Sequence, residues 1–69
     1  MNHFRLKMVE KLEVSSVRLQ GEADELRRQA NRLPAKFWHK RRTMREQANE
    51  LASMARSAGR EASHYRLTN

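Results

Sequence analysis

The chain has 69 residues, 38% of them hydrophobic, with no cysteine, a net charge of +7 and a pI near 11.1. A domain this short buries little apolar surface against its conformational entropy, and it holds neither disulfides nor a metal-ligand cluster, so oligomerisation is the remaining route to stability. The longest uncharged run, residues 51–55, is too short for a membrane span or a signal-peptide core, and the chain reads as intact, soluble and cytoplasmic.

The first predicted element is a helix from about residue 2 to 32. Apolar and small residues recur at spacings of three and four: Val9, Leu12, Ser16, Leu19, Ala23, Leu26, Ala30 and Leu33. These are heptad a and d positions, with small or β-branched residues at a and Leu at every d. Val14 and Val17 fall off this seam, one turn apart, facing away from it. Gly21 continues their line, although an exposed helical Gly costs about 1 kcal/mol relative to Ala. Glu10, Glu13 and Arg18 rim the strip, and Phe4 and Met8 extend it at the open end. A small apolar groove bordered by both signs of charge suits a protein contact better than a phosphate.

Pro34, the only proline, marks the turn at the midpoint, with Asn31 as a helix C-cap. The second helix is expected over about 35 to 67. Thr43 and Glu46 match a capping box, but the apolar period continues back through Phe37, which favours the earlier start. Its seam holds Met44, Ala48, Leu51, Ala55, Ala58, Ala62 and Tyr65, and Phe37 reads as core.

Folding the chain antiparallel, with paired residue numbers summing to 67, gives the layers Ala30/Phe37, Leu26/Arg41, Ala23/Met44, Leu19/Ala48, Ser16/Leu51, Leu12/Ala55 and Val9/Ala58. Nearly every layer sets one large side chain against one small one, which lets two helices approach closely and still fill the space between them. The predicted fold is an all-α, single-domain helical hairpin spanning the whole chain. Two hairpins would bury the open side of the seam as a four-helix bundle, and a symmetric homodimer is the commonest closed form.

Small-at-a, large-at-d layering in a hairpin of this size resembles the Rop family of dimeric helical hairpins. That resemblance implies a four-helix bundle binding paired RNA loops through one bundle face. It lies in the core pattern, and no RNA-contact residue carries over. The short Arg/Ala-rich chain also resembles small phage-encoded inhibitors of host regulators, among them anti-activators of bacterial quorum-sensing transcription factors. This second resemblance rests on length, composition and hairpin character. It implies a bacterial cytoplasmic target such as a transcription factor or an ATPase.

Charge is concentrated in one region. Residues 27, 28, 32, 36, 40, 41, 42 and 45 are Lys or Arg, with no acid between 27 and 45. The arginines ending the first helix favour its macrodipole, by roughly 0.3–1 kcal/mol each. The cations starting the second oppose theirs. Arg41 stands at an a position, where it either snorkels past the core or faces an anion. Trp38 falls on the flank beside Arg42 and Arg45, and three roles suit it: dimer packing, a cation–π contact with an arginine, or an anchor for a partner.

Enzymatic activity finds no support. His3, His39 and His64 are isolated, no Gly-rich phosphate loop exists, and no cofactor or metal is implied. A membrane foot at Phe37-Trp38 ranks below both protein and nucleic acid, because the core consumes the apolar face. The expected function is regulatory binding: a homodimer that docks on a larger protein and inhibits it, through Val14, Val17, Arg18, Gly21, Trp38, Arg42 and Arg45. The dimer and core residues are Val9, Leu12, Leu19, Ala23, Leu26, Met44, Ala48, Leu51, Ala55 and Ala58. The alternative is a nucleic-acid-binding regulator using the basic tip.

Overall fold

Residues 3–67 are described by a computed structural model. Strong helix formers (Ala, Leu, Arg, Lys, Glu, Gln) fill both halves of the chain, and the single proline lies between them. The result is helix α1, His3–Arg32, a 3-10 turn, Ala35–Phe37, and helix α2, Trp38–Leu67. Each helix has 30 residues, about 45 Å at the α-helical rise. They lie antiparallel in a rod of 54 × 13 × 12 Å. Asn2, the expected first residue of α1, lies outside the described residues.

The turn differs from the sequence reading. Leu33 N–H donates to the Ala30 carbonyl at 3.2 Å, tightening the end of α1. Pro34 follows in extended backbone (φ −60°, ψ 154°), and its missing N–H ends the hydrogen-bond ladder of α1. Phe37 N–H then donates to the Pro34 carbonyl at 2.9 Å. Asn31 is therefore not a C-cap. It sits inside α1, no described residue has the left-handed backbone of that cap, and its Oδ1 accepts from Arg45 at 3.0 Å. Thr43 is not a cap either, since it lies inside α2 and its Oγ1 donates to the His39 carbonyl. Phe37 belongs to the turn and is 45% exposed rather than core.

These turn residues also correct the register. Ser16 Oγ donates to the Ala55 carbonyl at 2.8 Å, Arg27 reaches Asn49, Arg45 reaches Asn31, and Arg66 reaches Glu13. Such pairs sum to between 71 and 79, centred near 75, not to 67. The reason is physical: residues 35–37 form the bend instead of the seam, which moves the fold point between three and four residues along the chain. A fold point moved by that much slides the pairing by one heptad. Leu12, Leu19 and Leu26 then fall opposite Ala62, Ala55 and Ala48, so large still meets small.

Among the described residues, Val9, Ala23, Ala30, Ala48, Ala52, Ala55 and Ala62 are fully buried. Six of the seven side chains are single methyl groups, so the helices close on one another along the a positions. Ala52, at an e position, joins Ala23 and Ala48 in one cluster, with Leu26 and Leu51 packed against it. The remaining expected core residues, Leu12, Leu19, Leu26, Met44, Leu51 and Ala58, are only half-buried. Because the heptad runs in opposite directions on the two helices, both d rows border the same side of the seam. That side is a partly exposed leucine face.

Candidate functional site

Three surfaces follow from this geometry. The leucine face is the first. A compact 8.2-kDa monomer would expose about 4,500 Å², whereas the hairpin exposes 5333 Å². The excess, about 800 Å², belongs to the rod as a whole and follows from its elongated shape. The face itself carries only half-covered Leu12, Leu19, Leu26, Met44 and Leu51.

The second surface is the back of α1. Helical phase turns Val14 away from α2 and Val17 toward the outer edge of the seam, and they are 68% and 74% exposed. Shallow apolar hollows flank them: Lys7, Glu10, Lys11 and Ser15 surround Val14 on one side, and Glu13 and Arg18 border both valines on the other. Gly21 is exposed, has no positive φ, and a Cβ built there would meet nothing within 4 Å. Nothing within the hairpin needs a glycine at this position.

A groove of about 520 Å³ joins this strip to α2, lined by Val17 and Gly21 with Ser16, Gln20, Asp24, Ala55, Arg56 and Gly59. Neither this groove nor the burial of Ala52 is expected from the heptad seam alone. The signal was available: Ala52 and Gly59 are small residues at e positions of α2, so its small-residue stripe is two positions wide.

The third surface is the basic tip. Trp38, 64% exposed, lines a cleft of about 250 Å³ with Arg41, Arg42, Arg45, Glu46 and Asn49. Its ring meets the His39 ring edge-on at 5.3 Å. Much of the surrounding charge is paired within the chain: Arg27 with Asp24 at 3.8 Å, Arg28 with Glu25 at 2.7 Å and Arg42 with Glu46 at 3.1 Å. These exposed pairs contribute little stability, but they order the side chains. Hydrogen bonds from Arg28 and Gln29, reinforced by the Arg28 charge, hold the Glu25 carboxyl below the usual carboxylate range. Arg41 is half-buried with its Nε lacking a hydrogen-bond partner, which agrees with a stem lying along the core.

The expected site residues thus separate in space. Val14, Val17, Arg18 and Gly21 lie together on α1, and Trp38, Arg42 and Arg45 lie together at the tip. Among the described residues, no group of three or more His, Asp or Glu side chains could hold a metal ion, and no helix is long and apolar enough to cross a membrane. Compared with protein families, curated proteins and solved structures, the chain matches none.

Proposed function

We propose that the chain is a non-catalytic regulatory binding protein. Two copies join through their leucine faces into a four-helix bundle, and the dimer docks on a larger protein through the back of α1 and inhibits it stoichiometrically. The observation that carries the docking reading is the Val14–Val17–Gly21 strip: two valines about 70% exposed beside a glycine that the hairpin does not need. Apolar area rimmed by Glu10, Glu13, Lys11 and Arg18 suits a protein surface with charges of both signs, whereas acids there would repel a phosphate backbone. The leucine face supports the dimer, since half-covered Leu12, Leu19, Leu26, Met44 and Leu51 lie along one side of the seam, where a second hairpin would bury them. The phage-inhibitor resemblance makes bacterial transcription factors and ATPases the first targets to try.

The test is affinity capture from a bacterial lysate with the native chain and Val17→Asp in parallel. The native chain should retain one dominant protein at low and moderate salt, and Val17→Asp should lose it at both. Arg42→Glu with Arg45→Glu should weaken capture mainly at low salt, through the association rate. Retention of that protein by Val17→Asp would end the docking reading.

A further inference from the structure

The tip of the hairpin is built against the stability of its own helix. α2 has no acid in its first turn, and Lys40, Arg41 and Arg42 follow at once. The partial positive charge of a helix N-terminus opposes cations there. Arg27, Arg28 and Arg32 suit the end of α1. Lys36, Lys40 and Arg41 have no acidic partner among the described residues, and they add like charge at the start of α2 that the hairpin alone would do better without.

The cleft beside α2 gives that charge a shape. Trp38, Arg41, Arg42 and Arg45, spaced three and four apart, share one helix face and line it together. Glu46 fixes Arg42 at 3.1 Å and Asn31, from α1, fixes Arg45 at 3.0 Å. A guanidinium carries five N–H donors, so one such bond positions the group and still leaves donors for a phosphate oxygen. The indole of Trp38 stays mostly in water beside these three arginines.

From this arrangement we infer that the cleft binds single-stranded nucleic acid, with Trp38 stacking on an unpaired base and Arg41, Arg42 and Arg45 contacting the flanking phosphates. An acidic peptide would satisfy the arginines but offer the indole no flat partner. A duplex presents phosphates but keeps its base faces stacked inside. A membrane foot needs adjacent aromatics on one apolar surface, whereas Phe37 lies outside the cleft with Lys36 Nζ 5.3 Å above its ring. The inference does not rest on the docking reading, because the back of α1 contributes nothing to this cleft.

Trp38 is the only tryptophan, so intrinsic fluorescence of the full chain reports this site alone. Titration with single-stranded oligothymidylate should quench it, with log affinity falling against log salt at a slope of about −2 for three phosphate contacts. Followed by anisotropy of a labelled oligonucleotide, Trp38→Ala should lower affinity about 5- to 150-fold, the span of base–aromatic stacking. Each of Arg42→Gln and Arg45→Gln should flatten the salt slope by about 0.7, and Val17→Asp should change neither readout. Circular dichroism checks that each variant is helical, and Trp38→Phe, which keeps an aromatic face, should retain most of the affinity even if Trp38→Ala fails to fold. The inference is overturned if poly-glutamate or anionic vesicles quench Trp38 at lower concentration than the oligonucleotide does. It is equally overturned if a duplex of the same length binds as tightly, or if binding proceeds without quenching.

Discussion

Replacing Gly21 by Ala should stabilise the protein and weaken it as a binder. Gly21 is exposed in the middle of α1, has no φ that requires glycine, and faces open space where a Cβ would stand. The substitution therefore carries only the backbone gain, about 0.8–1 kcal/mol per chain. With an unfolding entropy of roughly 2.1 cal/mol/K per residue, about 145 cal/mol/K for this chain, that gain raises Tm by about 6 °C. Gly59 is the internal control. It is half-buried, and its Cβ would sit 3.5 Å from Ser16 Oγ, an ordinary contact, so Gly59→Ala should stabilise by a similar amount. Both positions line one groove, so the double variant can depart from additivity. Thermal melts followed at 222 nm (about the helix minimum) should be run at one protein concentration, since the proposed dimer would make Tm depend on it. Capture of the partner by Gly21→Ala, measured beside the melt, should fall. An unchanged or lower Tm would mean that Gly21 is packed against something within the folded assembly. A higher Tm with undiminished capture would remove Gly21 from the docking strip.

Light scattering at micromolar concentration should give about twice 8.2 kDa, because a lone hairpin leaves its leucine face wet; a cooperatively melting monomer would sink the bundle. Ser16→Cys with Gly59→Cys should oxidise to an intramolecular disulfide, since the Gly59 Cβ position lies 3.5 Å from Ser16 Oγ and the chain has no other thiol; failure to cross-link under mild oxidation would count against the corrected register. Ala52→Leu adds bulk to a fully buried cluster and should cost about 1–3 kcal/mol by chemical denaturation; a wild-type midpoint would show that the helices do not close there. The Glu25 carboxyl is held below its ordinary range, so its small contribution is present above the unfolded-state value of 4.5 and lost as pH falls through the lowered folded-state value; Glu25→Gln should flatten the helicity profile in that acid window alone.

How far the sequence could be read follows from which residues vary along the seam. Two helices and the break at Pro34 were legible because the three-and-four spacing runs from Val9 to Tyr65 with only Arg41 out of pattern. The expected start of the second helix near 35 was three residues early, since residues 35–37 form the bend and α2 begins at Trp38. Outward placement of Val14, Val17 and Trp38 was legible from the same spacing. Register was not. Ala48, Ala55 and Ala62 fill three of the four a positions of α2, with Arg41 at the fourth, so sliding it by one heptad keeps Leu12 and Leu19 against alanines and moves Leu26 from Arg41 to Ala48. Large-with-small layering alone therefore fits two registers, and the one signal between them was the charged Arg41 opposite Leu26 in the wrong one. The choice fell to the bend at 35–37, whose 3-10 hydrogen bond depends on the backbone around Pro34 rather than on apolar spacing. Phe37 was misread for this reason, since its position in the heptad is correct and its place in the bend overrides it. Ala52 was missed because a two-row seam assigns no burial to an e position, while small residues at both a and e let α1 settle nearer that edge.

The antiparallel pairing also sets an order in which the rod comes together. Asn31 and Arg45 are 14 residues apart in the chain, Ser16 and Ala55 are 39 apart, and Glu13 and Arg66 are 53 apart. Formed first from the unfolded chain, the widest of these loops costs about 1.2 kcal/mol more to close than the narrowest. Once the inner pairs exist, each outer pair takes up only a few residues of slack. The hairpin should therefore zip from the bend outward and fray from the opposite end. Amide exchange would be slowest near Ala30 and Ala48 and fastest near Val9 and Ala62. Trypsin would reach Arg5, Lys7 and Arg66 before the cluster at 40–45. The densest run of basic residues, and so of tryptic sites, lies in the part of the rod that opens last.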